Sequence, residues 1–248
     1  MWAVVILILV AIAASAAYLT RQPVPNDRGP LRDVQPSPEE AISILKDGNV
    51  RFVKGSRRFA RLGKQRVTET ALAQQPFATL LACSDSRVPV EHVFDAGIGD
   101  LFVVRVAGNV CSDHEIGSIE YGVEHLKTPL VVVLGHTHCG AVTAVVTNAE
   151  VRGKFPHLAE HIIPAHQDAI ALHPNDDGEK VIGETVRCNV RRAIQDLFKA
   201  SDGIRTEVEN GKVKVIGAVY DLSTGAVEWL PEQENSRGTP VSVAPPNK

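Results

Sequence analysis

The chain carries little net charge, few cysteines and no visible internal repeat. Among its 248 residues, 26 Lys and Arg are balanced by 29 Asp and Glu, for a net charge of −3. Such a balance gives no electrostatic basis for binding nucleic acid. Four cysteines are too few for a disulfide scaffold. With 44% hydrophobic and 22% charged residues, the composition indicates one globular domain with a sizeable core.

Charge is also missing from the first twenty residues. Met1–Thr20 has no charged side chain and consists mainly of Ala, Val, Ile and Leu, so it predicts a signal peptide or a membrane anchor. Ala14-Ser15-Ala16 resembles a cleavage site and favours removal, whereas the length of the apolar run favours retention. Arginines follow at Arg21, Arg28 and Arg32, and the positive-inside rule would hold that flank in the cytoplasm. We expect an exported protein, periplasmic or membrane-anchored rather than cytoplasmic, that contacts a membrane only through this segment if it is retained.

The remainder divides into a linker, one domain and a tail. Residues 21–36 are rich in Pro and charge and predict a linker, residues 37–230 form the domain, and residues 231–248 are expected to be disordered. Ser37-Pro38-Glu39-Glu40 is a helix start, with a capping Ser and acidic residues in the first turn. The apolar stripe that follows would pack on its own domain or on a partner.

Alternating strand and helix patterns predict an α/β fold. Three short apolar runs are typical of buried parallel strands: Ala78–Cys83, Leu101–Val106 and Leu130–Leu134. Helical patterns cover Ile116–Leu126, Gly140–Ala149, Leu158–Leu172 and Glu184–Lys199. Lys212–Leu222 and Ala226–Leu230 predict a C-terminal hairpin. We expect a central, mostly parallel sheet flanked by helices, with this hairpin strand pair at its end.

Two of the strand-like runs end in residues that bind metals. Cys83 closes the first run, and His136 and Cys139 follow the third. In open α/β sheets, ligands bind at the carboxyl ends of the strands. Two thiolates and an imidazole suit zinc, and three protein ligands leave the fourth tetrahedral position open. A structural zinc site would need a fourth Cys or His ligand, and no further cysteine stands at motif spacing. The sequence therefore predicts a catalytic zinc, with Asp85 and Arg87 beside it.

Each of these residues also has an ordinary interpretation. Cys83 alone would be a small buried hydrophobe, and Asp85 with Arg87 a surface ion pair of little energetic value. The combination favours the metal. His138 is interpreted as a neighbouring or surface residue, or as a proton carrier. The other two cysteines, Cys111 and Cys188, are expected to be buried free thiols, although an exported chain could pair them.

The motifs resemble those of the β-class carbonic anhydrases. Cys83-Ser84-Asp85-Ser86-Arg87 with a downstream His136-x-x-Cys139-Gly140 is a specific combination. Further short motifs similar to those of the family extend the resemblance from about Pro38 to Leu230: Gly48-Asn49-x-Arg51-Phe52, Gly99–Arg105, Ala107-Gly108-Asn109, Ser118-Ile119-Glu120-Tyr121 and Tyr220-Asp221.

The resemblance implies a zinc lyase that interconverts CO2 and bicarbonate, with one Zn²⁺ per chain. Zinc lowers the pKa of a bound water to about 7, for which carbonic anhydrase is the standard example. Asp85 would accept a hydrogen bond from the zinc-bound hydroxide and orient it, while Arg87 keeps Asp85 ionised and in place. In a closed state Asp85 would become the fourth zinc ligand. The resemblance also implies a homodimer or higher oligomer.

Further positions are transferred by resemblance alone. Gln74 and Gly140 match substrate-binding positions, and Phe102 and Tyr121 match wall positions near a dimer interface. An inhibitory bicarbonate site in some bacterial members needs a Trp where this chain has Leu80. We therefore expect no such site, and expect the other residues that match it to be structural (Arg105 and Tyr220).

Three alternatives stay open at the level of sequence. Relatives hydrolyse CS2 or COS with the same ligands. A non-catalytic zinc protein, such as a bicarbonate sensor, would need neither Asp85 nor Arg87. A nucleotide-binding module is the weakest alternative, because no Gly-rich loop follows the first strand.

Overall fold

A computed structural model describes residues 34–175 and 178–231. The predicted signal or anchor segment, nearly all of the predicted linker and all but the first residue of the predicted tail lie outside these ranges. Within them, none of the helices combines the length and apolarity that a bilayer crossing requires.

The described residues form a five-stranded sheet. In chain order the strands are β1 (Ala78–Cys83), β2 (Leu101–Val106), β3 (Leu130–His136), β4 (Lys214–Tyr220) and β5 (Val227–Trp229). Their spatial order is β2-β1-β3-β4-β5, with parallel pairing except between β4 and β5. The predicted fold class, a mostly parallel sheet with a terminal antiparallel hairpin, is confirmed.

Helices cover both faces of this sheet. They are α1 (Pro38–Val53), α2 (Lys64–Thr70), α3 (Val90–Val93), α4 (Asp113–Glu120), α5 (Gly140–Val146), α6 (Phe155–Leu172), α7 (Gly178–Ala200) and α8 (Asp202–Glu209). A π-helical turn (Tyr121–His125) extends α4, and a 3-10 turn (Ala107–Asn109) follows β2. The sequence patterns did not predict α2, α3 or α8.

The predicted start of α1 is confirmed in detail. The Ser37 hydroxyl accepts from the Glu40 amide at 3.2 Å, and the Glu40 carboxylate accepts from the Ser37 amide at 2.8 Å. Ala41, Ile42 and Leu45 are buried in the apolar cluster that includes β1 residues such as Leu80. Of the two expectations for this apolar stripe, the structure shows the one in which α1 packs on its own domain.

Burial differs between the central strands and β2. Every residue of β1 and β3 is buried, because helices cover both of their faces. β2 forms an edge of the described sheet, and its residues are half-buried except Arg105, which is exposed. The expectation that β2 is a buried strand is therefore wrong for the single chain. Its apolar composition is that of a strand with one side still available for pairing.

Candidate metal centre

Three potential metal ligands converge at the carboxyl edge of the sheet. Cys83 is the last residue of β1, and His136 is the last residue of the neighbouring strand β3. Cys139 follows His136 after a tight turn and is the N-cap of α5. The two sulfurs and a ring nitrogen of His136 lie within 4.8 Å of one another, and all three residues are buried. Within the described ranges no other group of three His, Cys, Asp or Glu residues is arranged to hold a metal.

The geometry of these ligands fits zinc. Cys83 Sγ and Cys139 Sγ are 4.0 Å apart. Two sulfurs at about 2.3 Å from one tetrahedral zinc would lie roughly 3.8 Å apart. His136 Nδ1 is 2.9 Å from the Thr137 carbonyl, which can only accept, so Nδ1 carries the hydrogen. His136 Nε2 is left as a buried acceptor without a hydrogen-bond partner. Because an orphaned buried nitrogen is costly, a metal ion is its natural partner.

A nearby positive charge would also stabilise the ionised form of the two thiols. The hydrogen bond between the two sulfurs lowers the pKa of Cys83, and the Gly108 amide acts in the same direction. The same bond, together with burial, raises the pKa of Cys139. One thiolate therefore forms readily and the second does not, because two buried anions 4.0 Å apart repel each other. A divalent cation between them would remove this penalty.

Asp85 and Arg87 form a bidentate pair at the edge of the cluster. Arg87 donates through Nε to Asp85 Oδ1 at 3.0 Å and through Nη2 to Oδ2 at 2.8 Å. The Arg87 guanidinium and backbone amide hold the pKa of Asp85 well below its usual range, so the carboxylate is ionised. Asp85 Oδ2 also lies 3.9 Å from His136 Nε2. An ionised acceptor thus lies beside the three potential metal ligands, while Arg87 keeps it paired.

Arg105 braces the loop that carries this pair. From β2 it donates through Nε to the Cys83 carbonyl at 3.1 Å and through Nη2 to the Asp85 carbonyl at 2.7 Å. The register places Arg105 opposite Ala82 on β1, one residue before the first ligand. The sequence indicated only a structural role for Arg105. Its place on a predicted strand was the only signal in the sequence for a role near the site. The strand register that directs its side chain to these two carbonyls could not be predicted.

The four predicted substrate positions fall into two groups. Gly140 is exposed, adjoins Cys139 and faces open space. Phe102 and Tyr121 contact each other, with ring centroids 5.8 Å apart, at the opposite end of β2. Phe102 pairs with Thr79 while Val106 pairs with Cys83, four residues or roughly 13 Å further along. Gln74 is exposed in the loop that precedes β1. Within one chain, Gly140 therefore lies beside the three potential metal ligands, whereas Gln74, Phe102 and Tyr121 do not.

The structure also places His138, Leu80 and the two other cysteines. His138 is exposed, and its Nδ1 lies 3.4 Å from a Glu179 carboxylate oxygen. Leu80 is fully buried. Cys111 and Cys188 are buried free thiols, as expected.

Comparison with known proteins places these features in one family. A family model described as carbonic anhydrase matches residues 78–227. The carbonic anhydrase of Mycolicibacterium smegmatis is 38% identical over 196 residues, which is 77% of this chain and 93% of that protein. A β-carbonic anhydrase structure from Coccomyxa, in complex with acetazolamide, aligns with a TM-score of 0.60 at 27% identity, covering 66% of this chain and 75% of that one. A tetrameric β-carbonic anhydrase from Sordaria macrospora aligns with a TM-score of 0.62 at 22% identity, covering 77% and 97%, and shows the shared fold.

Proposed function

Because the chain belongs to the β-class carbonic anhydrases, we propose that it interconverts CO2 and bicarbonate at one zinc ion per chain, held by Cys83, His136 and Cys139. One observation carries the proposal. The three-ligand cluster lies beside an ionised Asp85 that is held in place by Arg87. A purely structural zinc site would need no such pair.

The bound metal would supply an acidified water as the nucleophile for CO2. Each oxygen of Asp85 already accepts from Arg87, and a carboxylate oxygen has a second lone pair. Asp85 can therefore accept a hydrogen bond from the attacking hydroxyl group and turn its lone pair toward carbon. Arg87 stops the carboxylate from swinging inward onto the metal. Gly140 is exposed beside Cys139, and no atom lies within 4 Å of the position a Cβ would take, so a bicarbonate oxygen can approach it.

Asp85→Asn tests this role, because it keeps the shape of the side chain and removes its charge. We expect kcat/KM for CO2 hydration to fall at least about 100-fold, or about 2.7 kcal/mol, with zinc content unchanged. Asp168→Asn is the matched control, since Asp168 forms a similar bidentate pair with Arg192, at 2.5 and 2.6 Å, between α6 and α7. Full activity of Asp85→Asn, or an equal loss in the control, would refute the assigned role.

We also propose that two chains complete each active site. β2 is a half-buried edge strand, and Tyr121 beside it is 46% exposed. A two-fold axis that paired two copies of β2 antiparallel would set Phe102 of one chain against the carboxyl end of β2 in the other. Gln74, Phe102 and Tyr121 would then line the partner's site, which explains why they lie far from their own chain's cluster. The β-carbonic anhydrase of Sordaria macrospora, which shares this fold, is tetrameric, so the fold is compatible with assembly.

Subunit mixing tests the shared site. Asp85→Asn and Gln74→Ala chains, each impaired alone, are mixed under conditions that exchange subunits. A mixed dimer contains one site in which both residues are intact, so activity should rise well above the mean of the two parents. Strictly additive activity, with exchange verified by mass, would contradict a site built from two chains.

Export is proposed from the charge-free segment Met1–Thr20 alone. Cell fractionation of the full-length protein tests it, and recovery of all activity in the cytoplasmic fraction would contradict it.

No observation favours the hydrolysis of CS2 or COS, and retention of both Asp85 and Arg87 argues against a non-catalytic zinc protein.

A further inference from the structure

A backbone amide from outside the ligand motifs donates a hydrogen bond to one of the three potential zinc ligands. The Gly108 amide donates to Cys83 Sγ at 3.2 Å. Gly108 lies in the 3-10 turn that follows β2 and has φ +71, a left-handed conformation that favours glycine. A Cβ added there would lie 2.9 Å from Ile162 Cδ1 and 3.2 Å from Ala141 Cβ. The turn is thus pressed against α5 and α6, with little room to shift.

The other side of the same residue is held by a buried side chain from α7. Asn189 Nδ2 donates to the Gly108 carbonyl at 2.7 Å, across 81 positions in the sequence. Asn189 is 2% exposed and lies among apolar residues of the same helix face, including Val186, Val190 and Ala193. Burying an amide is costly unless it is hydrogen-bonded, and an apolar residue would fill this face more simply. The presence of Asn here is explained by its bond to the Gly108 carbonyl.

A hydrogen bond from a backbone N–H fixes the position of a ligating sulfur, withdraws electron density from it and changes how strongly it donates to a metal. Groups that orient or bond to metal ligands from outside the coordination sphere commonly change metal affinity 10- to 100-fold.

We propose that Asn189 is a positioning residue for the zinc site, which holds the Gly108 peptide so that its N–H bonds to the Cys83 sulfur. The inference rests on the proposed zinc site. It predicts that zinc affinity depends on a residue that touches neither metal nor substrate and lies outside the ligand motifs.

The test compares full-length wild-type protein with Asn189→Leu, which is similar in size but donates no hydrogen bond. Apparent zinc affinity is measured by competition with a chelator, and the cobalt(II)-loaded proteins are compared by absorption. We expect zinc to bind about 10- to 100-fold more weakly to Asn189→Leu. We also expect the thiolate-to-cobalt band to move to lower energy, because a sulfur without the N–H bond donates more readily.

Asn49→Leu is the control. Asn49 is also buried, on α1, and its Nδ2 donates to the carbonyls of Gly225 at 2.9 Å and Val93 at 3.2 Å. It should lose stability but keep wild-type zinc affinity and the wild-type cobalt band. If Asn189→Leu does not fold, Asn189→Ser goes through the same two assays with the same expectation.

The outcomes separate this inference from the proposed function. Wild-type affinity and an unshifted band in the folded position-189 variant would overturn the role of Asn189, and so would an equal loss of affinity in Asn49→Leu. If wild-type protein itself bound no zinc, the proposed function would fail instead.

Discussion

Arg105 is expected to matter for catalysis although it contacts none of the three ligand side chains. Its guanidinium makes two charge-assisted hydrogen bonds, at 3.1 Å to the Cys83 carbonyl and 2.7 Å to the Asp85 carbonyl. Such bonds contribute about 1.5 to 3 kcal/mol each, and the lower value applies here because the side chain is accessible to water. In Arg105→Leu, water can rehydrate both carbonyls, so we expect about half of the combined value to be lost from transition-state stabilisation. Half of about 3 kcal/mol is a loss of about 1.5 kcal/mol, which corresponds to a roughly 10-fold fall in kcat/KM.

The assay is stopped-flow CO2 hydration, with zinc content measured on the same samples. Arg105→Lys should be intermediate, because an ammonium can reach one carbonyl but lacks the fork that spans two. Both variants should still bind zinc when it is supplied in excess, because the three ligand side chains are unchanged. Activity of Arg105→Leu within about threefold of wild type would show that the loop keeps its position without the brace, and the reasoning would be refuted.

Two further predictions follow from the ionisable groups. Because burial raises the pKa of Cys111 to about 12, roughly one molecule in 10⁴ carries that thiolate at pH 8, so alkylation should spare Cys111 in folded protein. Cys83, whose pKa is lowered, should be alkylated only after a chelator removes zinc. Peptide mass mapping would identify the labelled cysteine. Labelling of Cys111 at a rate similar to that of Cys83 would contradict the difference in pKa. Burial also raises the folded-state pKa of Asp196, so its ionisation opposes folding above that pKa and has no effect below the unfolded value. Asp196→Asn should therefore raise Tm at neutral pH but not at strongly acidic pH, and the opposite pattern would be inconsistent with a half-buried carboxylate whose desolvation outweighs its neighbouring cations.

The ligand cluster was predictable because its cause is local and topological. β1 is buried throughout and apolar except for Thr79, since a central parallel strand is covered on both faces, and its bounds were predicted as observed. Neighbouring parallel strands end at the same edge of a sheet. Cys83 and His136 therefore end at the same edge, and the β1–β3 pairing in the structure brings them together, with Cys139 following within a short turn.

Other features depend on contacts that leave no local pattern. The apolar run of β2 is compatible with either a central or an edge strand, so its half-buried state could not be predicted. The bond from Asn189 to Gly108 joins residues 81 positions apart. Neither residue has a sequence neighbour that signals the other. Likewise, only the strand register shows that Phe102 lies at the far end of β2 from the cluster.

The most direct test of the account is CO2 hydration by the purified full-length chain, with zinc measured on the same sample before and after chelation. We expect about one zinc per chain and fast hydration that disappears on chelation and returns when zinc is restored. Zinc bound in that ratio, with no hydration at neutral or alkaline pH, would contradict the central claim.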